Sequence, residues 1–196
     1  MDLKLKNRID VYDIDTKELL FSKENLVVDS GRKFVLEKLT NIGIGNINHS
    51  VDRRLLYFKI GDGGVADASK PMLINFPVAT DTDLINPLPF RTYDGTKLNE
   101  YCKSVNGSFY GKYFSPLDDS SRWDIDATKN KICFKAECQV SRSDARGEVI
   151  NEVGIFFGSK DGDNNIIDDG MYARITFASK YCIGTNGFSI IYHAFV

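Results

Sequence analysis

KICFKAECQVSRSDARGEVINEVGIFF, residues 131–157, decides the fold. Ile132, Phe134, Ala136, Cys138 and Val140 fall on one side, and Lys135, Glu137 and Gln139 on the other. A period of two marks a half-buried β-strand, because successive side chains of a strand point to opposite faces. The polar residues 143–147 turn the chain. Val149-Ile150 and the apolar run 153–157 make the next strand. Towards the C-terminus the same reading gives a polar loop over 159–170. Strands over 171–178 and 188–196 then form a final pair around the turn Gly184-Thr185-Asn186-Gly187.

Working back towards the N-terminus, Leu3, Leu5, Ile9, Val11 and Ile14 alternate in part with Lys4, Lys6, Asp10 and Asp13, with a break near Asn7. After the turn Asp15-Thr16-Lys17-Glu18, Leu19-Leu20-Phe21-Ser22 forms the second arm of a hairpin, and Leu26-Val27-Val28 extends the same sheet. Asp29 or Ser30 caps a helix over about 31–41, with Phe34, Val35, Leu36 and Leu39 as its apolar stripe. Leu55-Leu56-Tyr57-Phe58-Lys59-Ile60 reads as a buried strand running into the turn Gly61-Asp62-Gly63-Gly64. All five prolines (Pro71, Pro77, Pro87, Pro89 and Pro116) lie between 65 and 130. Proline lacks a ladder donor and breaks helices, so this stretch is loops with short strands and turns. Within it, 80–83 caps a helical turn over Leu84 and Ile85, and Tyr93-Asp94-Gly95-Thr96 makes a hairpin turn. The expectation is a single all-β, mainly antiparallel domain over 1–196. It is a β-sandwich with one short α-helix near 31–41 and an irregular insertion at about 65–130.

The totals narrow the function. The 25 Lys and Arg are offset by 27 Asp and Glu, a formal net charge of −2. No broad basic field is left to attract nucleic acid or an anionic membrane. The apolar runs are too short for the ~20 residues of a membrane-spanning helix, and the N-terminal stretch lacks a signal-peptide apolar core. Cys102, Cys133, Cys138 and Cys182 form no C-x-x-C pair, and His49 and His193 are far apart, so clustered metal ligands are not expected. The cysteines read as reduced, mostly buried thiols, with a Cys102–Cys182 disulfide as the alternative.

A few residues invite a chemical reading. Glu152 lies in an apolar strand, either as a catalytic acid or, the better reading, as a structural residue that pairs with a cation such as Arg174 or points outwards. Asp161-Gly162-Asp163-Asn164-Asn165 with Asp168 and Asp169 spaces oxygen ligands like a calcium loop. Ile166 and Tyr172 stand where an EF-hand needs Gly and Glu, so it reads as a solvated turn. The 61–64 turn lacks the Lys-Ser/Thr of a phosphate loop. No G-x-S-x-G occurs, and His193 reads as a structural histidine. Nothing calls for a cofactor. Tyr93, Tyr101, Phe109, Tyr110, Tyr113, Phe114 and Trp123 crowd the irregular middle, either as an interface or as anchors of the loop to its own sandwich.

Four pieces follow in a definite order: LVVDSGRKFVLEKL, LLYFKIGDGG, VATDTDLINPLPFR, and FKAECQVSRSDARGEVINEVGIFFG with GMYARITFASKYCIGTNGFSIIYHAFV. In this order they resemble the N-terminal or stand-alone modules of bacteriophage tail-fibre, baseplate and related virion proteins. The matching residues are Gly31, Ile60-Gly61-Asp62-Gly63, Ala79-Thr80-Asp81-Thr82 with Leu84, residues 151–156, and residues 173–177. The segment 93–131 is longer than the usual connection and has no match. The resemblance implies a non-enzymatic structural protein of the virion tail, made in the host cytoplasm. Its expected partners are other tail or baseplate proteins and copies of itself in a symmetric assembly. The contact surface is expected at 71–116 and 161–169. Alternatives are a carbohydrate-binding module for the host surface and, last, a glycan-degrading domain, which needs two carboxylates about 5–10 Å apart.

Overall fold

The computed structural model describes residues 6–24, 26–40, 53–67, 69–70, 72–91, 95–103, 108–114, 123–126, 131–145, 147–163, 165–178 and 187–195. The strands are β1 (Lys6–Asp13), β2 (Leu19–Glu24), β3 (Leu26–Val27), β4 (Arg54–Gly61), β5 (Pro87–Leu88), β6 (Tyr101–Lys103), β7 (Phe109–Tyr113), β8 (Trp123–Asp126), β9 (Lys131–Val140), β10 (Glu152–Lys160), β11 (Ile166–Thr176) and β12 (Phe188–Phe195). The helices are α1 (Asp29–Thr40) and the single turn α2 (Arg142–Ala145), with a 3-10 segment at Gly95–Glu100. Two antiparallel sheets form a sandwich. Sheet A runs β2-β1-β12-β9-β8, and sheet B runs β3-β11-β10-β4-β7-β6 with β5 also beside β4.

Alternation puts the core between the sheets. Ile9 and Val11 of β1, Ala136, Cys138 and Val140 of β9, and Phe188, Ile190 and Tyr192 of β12 come from sheet A. They join Phe58 and Ile60 of β4, Val153, Ile155 and Phe157 of β10, and Ala173 and Ile175 of β11. Each such side chain contributes about 1.5–3 kcal/mol relative to exposure. The Tyr172 and Tyr192 rings meet edge to face at 5.9 Å across the seam. β10 is buried throughout, from Glu152 to Ser159. Its other face carries a second cluster with Tyr57, Leu84, Cys102, Phe156 and Met171. β1 pairs along its whole length with β12, from Lys6↔Phe195 to Asp13↔Phe188.

Several expectations are corrected. Leu26-Val27 does not extend the first hairpin: β3 crosses to sheet B and pairs with Ala173 and Arg174. The final pair over 171–178 and 188–196 does not form, because β11 belongs to sheet B and β12 to sheet A. The polar loop is shorter than 159–170, since β10 runs to Lys160, β11 begins at Ile166, and a bulge at Asp168 (φ 50°) takes up polar residues. α1 starts at Asp29, so Asp29 and Ser30 are its first turn, with Asp29 N–H donating to Ala79 O at 2.8 Å. Gly31 lies so close to β11 that a Cβ would stand 2.1 Å from Tyr172 O. Leu36 is exposed rather than on the stripe, because two residues turn a helix by about 200° from Phe34. No helical turn covers Leu84 and Ile85; Asp83 binds Lys59 at 2.9 Å instead. The insertion adds β5, β6 and β7 to sheet B and β8 to sheet A. Of the turn expected at 93–96, residues 93 and 94 lie outside the described residues and Gly95 opens the 3-10 segment. His49, Cys182 and 184–186 lie outside them too. Cys102 and Cys138 are buried free thiols.

Candidate functional site: a buried carboxylate beneath an apolar loop

Glu152 opens β10 directly opposite Gly61, the last residue of β4. The chain then turns through 61–64, and that turn closes on the Glu152 carboxylate. A Cβ on Gly61 would sit 2.6 Å from Glu152 Oε1, and one on Gly63 2.8 Å. Glycine is required here for close approach rather than for an unusual φ. Oε1 accepts the N–H of Gly63 (3.2 Å) and Asn86 (2.9 Å); Oε2 accepts that of Ile85 (3.3 Å). Arg174 of β11 donates Nε (3.0 Å) and Nη2 (2.8 Å) to Oε2, and Nη1 to Asp81 Oδ2 (2.9 Å). Asp81 also accepts the Val78 N–H at 3.0 Å. Asn151 completes the lock. Its Oδ1 accepts the Gly64 N–H, its N–H donates to Gly61 O, and its carbonyl accepts from Phe177.

Four separate stretches of sequence meet at this point: the glycine turn, 78–86, Asn151-Glu152 and Arg174. Glu152 is 0% and Arg174 2% exposed. Five N–H donors fill the roughly four lone-pair sites of one carboxylate. Three backbone N–H groups from two loops, those of Gly63, Ile85 and Asn86, converge on an anion that is the chain's own. No free oxygen of Glu152 is left to meet an outside substrate.

A second buried charge ties the sheets together. Asp144 of α2 is 0% exposed. It accepts from Tyr101 Oη, from Lys112 Nζ (3.1 Å) and from the Ser141 N–H (2.8 Å). Sequence reasoning passes over both Asp144, lost among turn residues, and Lys112, lost among aromatics. A third pair lies on the outer face of sheet A, where His193 Nε2 is 2.8 Å from Asp10 Oδ2 and Arg8 stands 2.9 Å from the same oxygen. Burial pushes the His193 pKa down; Asp10 opposes this, while Arg8 and Lys135 reinforce it.

The aromatic candidates divide. Tyr101 is buried in the main core, with Phe109 and Phe114 packed against it. Tyr110 and Tyr113 are half-buried against the second cluster, and Lys160 Nζ covers the Tyr113 ring at 3.6 Å. Burial raises Tyr110 to about 12 and Cys102 to about 12. Trp123 is the first residue of β8, and Tyr93 lies outside the described residues. Among the described side chains, Tyr101, Phe109 and Phe114 belong with the main core and Tyr110 and Tyr113 with the second cluster. In the calcium-like loop, Asp161 Oδ1 accepts the N–H of Asp163 and of Asn165, and Oδ2 the Asn165 amide. This carboxylate closes its own turn, and among the described residues no three metal-ligating side chains stand together.

Above the node the loop turns its apolar residues outward. Met72 is 69% and Phe76 70% exposed, and Leu73, Val78 and Ile85 are each more than half exposed. The sequence places a contact surface in 71–116 but draws attention to its aromatics over these residues. The signal is present in Pro-Met-Leu-Ile-Asn-Phe-Pro-Val at 71–78, an apolar run between prolines. Among the described residues no helix is long and apolar enough to cross a membrane. No protein-family model, curated protein or solved structure matches the chain.

Proposed function

We propose that this chain is a non-enzymatic structural component of a bacteriophage tail or baseplate, and that it works by protein–protein assembly. The observation that carries the reading is the display of five large apolar side chains on a backbone fixed from below. Exposed apolar side chains normally scatter singly, whereas these five fall within residues 72–85. Here each is held between ties: Asn75 N–H to Gly64 O (2.9 Å), the Val65↔Ile74 bridge, Asp81 under Val78, and Glu152 under Ile85 and Asn86. A surface ordered before it binds avoids the entropy cost of ordering on contact. The ordered phage-like patterns supply the setting, and three of the four pieces contribute to one buried cluster: the glycine turn through Gly63, the following piece through Asp81, Ile85 and Asn86, and the C-terminal piece through Glu152 and Arg174. The saturation of Glu152 and the covering of Tyr113 favour assembly over catalysis or sugar stacking.

The test is mass spectrometry of purified particles from a host carrying the gene, with and without the gene intact. The chain is expected in the particle, and its deletion to yield particles with incomplete tails. Complete, infectious particles lacking the chain would overturn the reading.

A further inference from the structure

We propose that Lys112 and Asp144 are the two halves of a self-forming covalent cross-link, an isopeptide bond between the lysine amine and the aspartate carboxyl, with Glu100 as the group that moves the protons. The proposal stands apart from the assembly reading. On β7, Lys112 pairs with Phe58 of β4 and with Tyr101 of β6, and both of those side chains lie in the core between the sheets. Side chains directly opposite each other share a face, so Lys112 points inward as well, and it is 8% exposed. Lysine is almost never buried unless paired. Here the amine has two carboxylates: Asp144 Oδ2 at 3.1 Å and Glu100 Oε2 at 3.6 Å. A structural ion pair needs only one. Of the two, Asp144 is sealed in, while Glu100, at the end of the 3-10 segment, is 43% exposed and links the amine to solvent.

The groups are fixed in place. The Ser141 N–H holds Asp144 Oδ2 at 2.8 Å, and the Asp144 carbonyl accepts the Arg91 N–H at 3.0 Å. The Tyr101 ring lies 5.0 Å from Lys112 Nζ, between the rings of Phe90 and Phe109, while its hydroxyl donates to Asp144 Oδ1. Neighbours fixed at such range react as parts of one molecule. An ammonium and a carboxylate contain between them the atoms of one amide and one water, so the step needs no co-reactant. Lys112 Nζ passes a proton to Asp144 Oδ2 along their hydrogen bond, and its lone pair then attacks the carboxyl carbon. Charge moves onto Oδ1, where the Tyr101 hydroxyl stabilises it. Glu100 takes a proton from the nitrogen and delivers it to Oδ2. The carbon–Oδ2 bond breaks, water leaves, and the carbonyl re-forms on Oδ1. Burial drives the exchange: two charges out of water have lost their solvation, and the neutral amide has none to lose.

Mass spectrometry of the purified, folded full chain, denatured just before measurement, tests this. The wild type is expected to weigh less than its sequence by one water. Its tryptic digest is expected to hold Lys112 joined to Asp144 of the peptide 143–146. Asp-Gly steps such as Asp62-Gly63 also lose water when they cyclise, so the joined peptide decides and the mass alone does not. Lys112→Arg, which keeps the charge, is expected at full mass without the joined peptide. Glu100→Gln changes a part-exposed side chain; it is expected to keep its circular dichroism while most of the chain stays at full mass. A folded wild type at full mass, with Lys112 and Asp144 in separate peptides, overturns the proposal and leaves an ion pair. A joined peptide as abundant in Glu100→Gln as in the wild type overturns the part given to Glu100.

Discussion

Replacing Glu152 by Ala is expected to cost about 3–5 kcal/mol of folding stability, the range for removing one partner of a buried ion pair. The carboxylate takes two guanidinium N–H groups and three backbone N–H groups. A buried donor left without an acceptor costs about 1–3 kcal/mol, and Arg174 would be left with its charge on Asp81 alone. Water entering the space left by the side chain satisfies some of the five donors, which keeps the total below their sum. Gln is no remedy. Both carboxylate oxygens face donors, so its amide NH2 confronts an N–H whichever way it is turned. In a urea titration the midpoint should fall with the slope unchanged. The melting temperature should drop by roughly 6–20 °C for a chain of this size. A loss of less than about 1 kcal/mol, typical of an exposed pair, would refute the reasoning. Glu152→Met combined with Arg174→Met should be less damaging than the two single losses added, with a coupling of about 0.5–3 kcal/mol.

The glycine contacts separate close approach from flexibility. Gly64→Ala puts a Cβ 1.9 Å from Asn151 O and should cost about 1–3 kcal/mol or more in urea melts, whereas Gly162→Ala meets nothing within 4 Å and should be close to neutral. His193 makes stability pH-dependent. Its folded pKa lies below its ordinary value of 6.5, so its contribution is fully present above 6.5 and is lost as pH falls through the folded value. Urea midpoints measured down a pH series should show this loss, and His193→Gln should flatten it. Burial raises the Cys102 and Cys138 thiols, so iodoacetamide at pH 8 should leave both unlabelled in the native protein and label both in urea, read by peptide mass spectrometry.

The sequence is legible where one period runs unbroken. The alternation from Lys135 to Val140 gives a strand and its buried face, with Ala136, Cys138 and Val140 inward. Periodicity says which way a side chain points, not which sheet the strand joins. For that reason β3 and β12 have neighbours other than those expected. The start of β11 is hidden because Asp168 and Asp169 read as loop, while in the fold a bulge turns them to solvent. A lone carboxylate and a lone guanidinium on apolar strands are readable as partners. That Glu152 also fills the glycine turn depends on contacts across 66 to 89 residues, which no local pattern carries. Asp144 and Lys112 escape notice for the same reason, since each looks ordinary beside its own neighbours in the chain.

The place of β12 bears on how the molecule comes into being. Without it, sheet A is two separate hairpins, β1 with β2 and β8 with β9, and β12 is the strand that stitches them together. Two-stranded hairpins are marginal in water. Every other strand of both sheets leaves the ribosome before β12 does. Sheet B can close first, while β1 and β9 wait with unpaired edges for the farthest partner in sequence. Such late, long-range closure is slow, and it exposes the nascent chain to edge-to-edge association until β12 arrives.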